Sequence, residues 1–200
     1  MAEHTLKEGH RGAQRKIRLG FGELYASAGD HIAHFYSSRE EWHSVFAGFL
    51  TAGLQDGDKC VYFQKAGSVG DVASQFTTDE DILLRNACST GQLEFHRGES
   101  DSHDMRALLA DALAEIPGKY PRLRWAGDMT WSLGKHSAQQ LMEWESHCNH
   151  FDQSQAIFLC QYDLSSFSGR VVMNALQTHP LCIVGGSIHR NPYFIRSSTS

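Results

Sequence analysis

His31-Ile-Ala-His-Phe-Tyr36, running into Ser37-Ser-Arg-Glu-Glu41, sets the architecture of this chain. The first six residues form a short apolar run with aromatic and β-branched members, the mark of a buried strand. Ser37 and Ser38 each have a glutamate three residues on, which is capping-box spacing. Trp42, Val45, Phe46, Phe49, Leu50 and Leu54 then recur at helical period, with Gly53 and Gly57 bracketing the helix end. The segment therefore reads strand, serine turn, helix. In an open parallel sheet, ligands bind where strands give way to helices. A phosphate loop there needs glycines that bare backbone N–H groups and a lysine for the phosphates. This turn has neither, and Glu40 and Glu41 in the first helical turn would repel an anion. No nucleotide hydrolysis is expected.

The pattern continues outward. Lys59 to Gln64 reads as a second strand, and Val69 to Cys88 as one broken or two short helices, with Thr78 and Asp81 able to restart the helix. Gln92 to His96 is a brief strand. Ser102 opens a helix that Pro117 and Gly118 stop. Leu123 to Thr130 is a strand, and Ser137 with Gln140 caps another helix. Ala156 to Tyr162 is the most apolar strand and is expected at the sheet centre. A helix follows over Phe167 to Thr178, then a last strand over Leu181 to Ile188, with Gly185-Gly186 as a bulge or close backbone approach. Continuous apolar strands alternating with helices predict an α/β fold of three layers, a mostly parallel sheet covered by helices on both faces.

The 200 residues suit one domain, and 41% hydrophobic with 20% charged residues is an ordinary globular composition. No apolar run is long enough to span a membrane and no secretory h-region is visible, so a cytoplasmic location is expected. Residues 1–18 carry five basic and two acidic side chains, a charge of +3, which leaves −8 on the remainder of a chain whose net charge is −5. They are expected to be a flexible basic leader, residues 19–195 the folded domain and 196–200 a frayed tail. The acidic body has no helix-turn-helix or zinc-finger spacing, so direct nucleic-acid binding is not expected. Five widely spaced cysteines without a CxxC are not a disulfide framework.

Twelve histidines are an excess for this length. His31 and His34, three apart on a strand, point to opposite faces and cannot share a metal unless the strand breaks. Cys160, in the most apolar strand, could join His31, His34 or His179 in a metal or haem site. Trp125 to Trp131 sets Asp128 between two tryptophans. Glu145 lies on the apolar face of its helix, where an unpaired carboxylate is costly, so Arg124 or a histidine is its expected partner. An aromatic-lined pocket with a few polar groups is the usual small-ligand design. An enzyme would need Cys160 as nucleophile beside His179 and Asp163 or Glu145. A buried mid-strand cysteine is poorly placed to attack, and no catalytic activity is expected.

The residues resemble a family. His31-Ile-Ala-His-Phe-Tyr36, Gly53-Leu54, Gly57-Asp-Lys-Cys-Val-Tyr-Phe63, Asp128-Met-Thr-Trp131, Trp144-Glu145, Cys160-Gln-Tyr-Asp163, Thr178-His-Pro180 and Asn191-Pro-Tyr193 are similar, in order, to the MEDS domain, the methanogen/methylotroph DcmR sensory domain. The likeness runs from Leu19 to Tyr193. It implies a fold similar to RecA/KaiC-type P-loop ATPases with the phosphate loop lost, in agreement with the turn after Tyr36. It also implies a sensor of small molecules, hydrocarbon derivatives among them, of a kind often joined to DNA-binding or histidine-kinase modules. By position it carries over His31, His34, Tyr36, Asp128, Trp131, Glu145, Cys160, Tyr162 and His179, with Asp128 where family members often have glutamate. The expected partners are a small-molecule effector and a histidine kinase or transcription regulator; a homo-oligomer is compatible with this. The expected ligand crevice lies over the strand ends, between Tyr36, Trp131, Tyr162 and His179. The alternative is a redox-responsive metal or haem sensor using His31, His34, Cys160 and His179.

Overall fold

The computed structural model describes residues 16–64, 78–97, 102–149 and 155–195. The elements are β1 (Ile17–Arg18), β2 (Tyr25–Ala26), β3 (His31–Tyr36), α1 (Arg39–Gln55), β4 (Lys59–Gln64), α2 (Thr78–Ser89), β5 (Leu93–Arg97), α3 (Ser102–Ala114), β6 (Leu123–Asp128), α4 (Ala138–Cys148), β7 (Ala156–Asp163), α5 (Gly169–Thr178), β8 (Leu181–Val184) and β9 (Ser187–Arg190). A 3-10 turn, Met129–Ser132, follows β6. The main sheet has seven strands in the order β5-β4-β6-β7-β3-β8-β9. Every pairing in it is parallel except β8 with β9. One face packs on α1 and α2 through Phe46, Leu50 and Leu84, and the other on α3, α4 and α5 through Leu109, Trp144 and Ala175. The three-layer α/β expectation holds, and β7 occupies the middle of the sheet.

The turn after β3 closes on itself. Ser38 is the N-cap of α1, its hydroxyl accepting from the Glu41 backbone N–H at 3.2 Å. The Glu41 carboxylate turns back to accept from the Ser37 backbone N–H at 2.7 Å and its hydroxyl at 3.0 Å. A glutamate thus occupies the helix N-terminus where a phosphate would sit in a phosphate loop.

Two sequence readings need correction. The last strand is a hairpin. Gly185 and Gly186 have φ of +56° and +74°, the left-handed pair that a two-residue turn between antiparallel strands requires, so they are neither a bulge nor a close approach. The folded part begins before residue 19, because Ile17–Arg18 pairs with Tyr25–Ala26. Gly53 and Gly57 do bracket the end of α1: the helix stops at Gln55, and the chain leaves it at Asp56 and Gly57, where φ is +80°. The first part of the helical segment expected over Val69 to Cys88, as far as residue 77, most of the basic leader and the tail 196–200 lie outside the described residues.

Gly53 has a packing reason. A Cβ there would stand 2.4 Å from Arg124 Cδ and 2.8 Å from Cys60 Sγ. Arg124 is fully buried and pinned. Its Nε donates to Asp58 at 2.8 Å, Nη1 to the Phe49 carbonyl at 3.0 Å, and Nη2 to the Arg18 carbonyl at 2.9 Å and to Asp56 at 3.3 Å. Gly53→Ala gains about 1 kcal/mol of helix propensity. Overpacking against a guanidinium that cannot retreat costs about 1–3 kcal/mol. A net loss of stability in urea denaturation is expected; an unchanged or raised midpoint would show that Arg124 can move aside.

Candidate functional site

Two polar clusters flank the middle of the sheet, one on each face, because successive strand residues alternate sides. His31, Cys160 and Tyr162 face α4 and α5. His34 and Gln161 face α1. Parallel pairing of β3 with β7 brings each set side by side, with Ala33 opposite Cys160 and His34 opposite Gln161.

The first cluster is centred on Glu145, carried inward by α4 beside Leu141, Trp144 and Cys148. Its carboxylate is fully buried. Oε1 accepts from the Tyr162 hydroxyl at 2.6 Å, and Oε2 from the Cys160 thiol at 3.2 Å. The same Oε2 stands 3.1 Å from His31 Nε2 and 3.3 Å from His179 Nε2. The two imidazoles are in contact, with centroids 3.9 Å apart and their planes tilted by 48°. The contact from His179 is within ion-pair distance but poorly aligned, so His179 Nε2 is a buried atom without a hydrogen-bond partner.

The outer nitrogens fix both tautomers. His179 is the C-cap of α5 and its Nδ1 lies 2.8 Å from the Ala175 carbonyl. A carbonyl only accepts, so Nδ1 carries the hydrogen. Asn149 donates through Nδ2 to the Thr178 carbonyl at 2.9 Å, which leaves its Oδ1 to accept from His31 Nδ1 at 3.1 Å. Both Nε2 atoms therefore turn a lone pair, or an added proton, toward one carboxylate oxygen.

Burial alone raises the Glu145 carboxyl, but the close approach of His179, and then of His31, holds it well below the usual carboxylate range. Burial, and next the charge of His179, pushes His31 down. Burial and the Glu145 charge push the Cys160 thiol far up, so in this arrangement it is a protonated donor.

The second cluster is a closed network under α1. Trp42 Nε1 donates to the Tyr62 hydroxyl at 3.1 Å, and that hydroxyl to Gln161 Oε1 at 3.0 Å. Gln161 Nε2 donates to His34 Nδ1 at 3.0 Å and to the Trp42 carbonyl at 3.3 Å. Tyr36 donates to Asp128 at 3.3 Å, and Asp128 caps the 3-10 turn by accepting from the Thr130 N–H at 3.0 Å. Burial pushes Asp128 up.

Burial lowers His34 to about 4, against a weaker opposing pull from Glu41. Protonation would also set an N–H against the donor of Gln161. Above pH 6.5 His34 is neutral folded and unfolded and contributes no pH dependence. As pH falls below 6.5 the unfolded chain takes the proton first, and stability drops until the folded state also protonates near 4. The full loss is about 3 kcal/mol. Between pH 7 and 4.5, wild type should lose about 2–3 kcal/mol more than His34→Gln, whose amide oxygen can still accept from Gln161. Equal losses in urea titrations would refute the assignment.

The structure thus divides the expected site residues. His31, Glu145, Cys160, Tyr162 and His179 come together. His34 does not join the metal candidates, because its side chain is on the opposite face. Tyr36 and Asp128 also lie on the α1 side, so the crevice expected between Tyr36, Trp131, Tyr162 and His179 is not one site. Trp131 packs edge-on against His136 at 5.2 Å, in the turn after β6. Asp163 bonds Ser165 and Ser166, not Cys160. Arg124 is not the partner of Glu145, since it points to the α1 face and pairs with Asp58. Asn149 was missed. Asn just past a helix usually serves a left-handed backbone, but here φ is −76° and the side chain is what is used.

On the outer side of α4 and α5, a groove of about 390 Å³ is lined by Gln139, Met142, Arg170, Asn174 and Thr178. Thr178 is the neighbour of His179, and its hydroxyl lies 3.8 Å from Met142 Sδ. No described helix is long and apolar enough to cross a membrane.

Comparison with known proteins adds three findings. The model of the family described as MEDS, the methanogen/methylotroph DcmR sensory domain, matches residues 30–180. The transcriptional repressor DcmR of Methylorubrum extorquens is 30% identical over 156 residues, which cover 75% of this chain and 58% of that protein. The chain thus spans little more than half the length of this curated relative. A KaiC-like protein of Pyrococcus horikoshii shares the fold, with a TM-score of 0.61 over 84% of this chain and 79% of that one at 10% identity.

Proposed function

Since this chain belongs to the MEDS family of sensory domains, we propose that it binds a small effector at the Glu145 cluster and passes the signal to a transcription regulator or histidine kinase. The observation that carries this reading is the cluster itself. Five side chains capable of hydrogen bonding or ligation, His31, Glu145, Cys160, Tyr162 and His179, are buried in a layer that packing alone would fill with hydrocarbon. A small hydrocarbon derivative, with one polar group for the cluster and an apolar remainder, suits such a mixture. The groove between α4 and α5 is its way in, since Thr178 lines that groove and joins His179. A regulatory output agrees with the relative named a transcriptional repressor, and a cytoplasmic location goes with it. The cluster acts as a receptor and not as a catalytic centre: Cys160 is buried and protonated, a poor nucleophile.

The test is a thermal-shift panel of short alcohols, aldehydes, amines and haloalkanes on the full chain. A ligand at a hundredfold excess over its Kd stabilises by about 2.7 kcal/mol, or about 5–10 °C for a chain of this size. One chemical class should raise the Tm of wild type and leave Tyr162→Phe unmoved. A flat response across the panel would overturn the proposal.

A further inference from the structure

Four of the atoms around Glu145 do more than hydrogen-bond. His31 Nε2, His179 Nε2, a Glu145 carboxylate oxygen and Cys160 Sγ all lie within 4.8 Å of one another, and all four side chains are buried. A zinc ion bound to two nitrogens, one oxygen and one sulfur sets its ligand atoms about 3.3–3.8 Å apart, from metal–ligand bonds of about 2.0–2.3 Å. Four of the six separations here are 3.1 Å (His31 to Glu145), 3.3 Å (His179 to Glu145), 3.4 Å (His31 to Cys160) and 3.2 Å (Cys160 to Glu145). These four separations are already close to ligand spacing before any metal enters, and the other two lie within 4.8 Å.

The surroundings are those of a ligand set. Each histidine is tied at Nδ1 to an acceptor, the Ala175 carbonyl or Asn149 Oδ1, which turns the Nε2 lone pair inward. Tyr162 holds the other carboxylate oxygen. Two lone pairs aimed at one carboxylate oxygen repel unless a proton or a metal ion lies between them, and His179 Nε2, 3.3 Å from that oxygen, is a buried nitrogen without a well-formed hydrogen bond.

We propose that His31, Glu145, Cys160 and His179 form a closed binding site for one divalent cation of the zinc class. Mixed nitrogen, sulfur and carboxylate donors select a borderline-soft ion over magnesium or calcium. On binding, the Cys160 S–H bond breaks, the metal–sulfur bond forms and the proton leaves to solvent. Four protein donors fill a tetrahedral shell, which makes this a structural or sensing site rather than a hydrolytic one. A haem does not fit, because its macrocycle takes the equatorial plane and leaves axial ligands on opposite sides, whereas these donors enclose one point.

The inference rests on the sensory reading only in sharing its cluster. The experiment is a titration of the chelator-treated full chain with cobalt(II), a spectroscopic stand-in for zinc. The expected result is a one-to-one complex with a thiolate-to-cobalt charge-transfer band and intense visible d–d bands, both abolished by equimolar zinc. Cys160→Ser should lose the charge-transfer band, and Asn149→Ala should bind about 10–100-fold more weakly. The absence of a one-to-one complex in wild type overturns the site without any variant, and a charge-transfer band that survives in Cys160→Ser overturns the ligand assignment. Cobalt binding with a flat effector panel would leave the metal site standing and remove the effector. An effector response without cobalt binding would do the reverse.

Discussion

Glu145→Ala should cost about 3–5 kcal/mol, because it deletes the acceptor on which four buried side chains converge. Tyr162 donates to the carboxylate at 2.6 Å and Cys160 at 3.2 Å, and the imidazoles of His31 and His179 face it at 3.1 and 3.3 Å. Alanine leaves the phenol without its acceptor, a penalty of about 1–3 kcal/mol on its own, and leaves two adjoining buried imidazoles with no carboxylate to face. The total stability of a domain is only about 5–15 kcal/mol, so the variant stands near the edge of folding. Urea denaturation in the presence of a chelator reads the protein's own contacts: the midpoint should fall sharply with the slope unchanged. A loss below about 1 kcal/mol would mean that water re-partners the cluster. Glu145→Gln keeps an oxygen for Tyr162 and should lose less.

Arg124→Met should be comparably damaging, at about 3–5 kcal/mol, for the mirror-image reason. Here the cation goes and the buried anion stays. Asp58 is fully buried and retains Arg122 at 3.2 Å, but the carbonyls of Phe49 and Arg18 lose their donor. Those contacts stitch β1, the end of α1 and β6 together, so the short β1–β2 ribbon should loosen as well. Combining Arg124→Met with Asp58→Asn should recover part of the loss, with a coupling of about 0.5–3 kcal/mol. Strict additivity would show that the two side chains act independently.

Element type was legible in the sequence wherever periodicity was strong. The β3 run, the α1 stripe and the Ser137–Gln140 capping box all appear where their residues predict. The opposite orientation of His31 and His34 followed from strand parity alone. What could not be read was parity between strands. Whether Tyr36 and Tyr162 share a face depends on how β3 aligns with β7, and that alignment is set across more than a hundred residues. Glu145 was correctly expected to need a partner, and of the two alternatives the histidines hold. Arg124, the other, sits one strand away but faces the opposite layer. The hairpin at Gly185-Gly186 was missed because the apolar run Leu181 to Val184 is followed, past the glycines and Ser187, by the β-branched Ile188, so composition suggested a single strand.

The strand order has a consequence for how this chain folds during synthesis. β3 lies between β7 and β8, and His31 pairs with Phe158. Both neighbours of an early strand are therefore made last. Until Ala156–Val184 has left the ribosome, β3 has no edge to bond to, and its apolar side chains wait beside unpaired backbone. β4, β5 and β6 can pair among themselves meanwhile, but only across long crossovers, which close slowly. β8–β9 is the one local pairing in the seven-stranded sheet, and hairpins form in about 1–10 μs. The sheet is thus joined up only when β7 and β8 reach β3, and the Glu145 cluster, with side chains from β3, α4, β7 and the end of α5, cannot exist before that step.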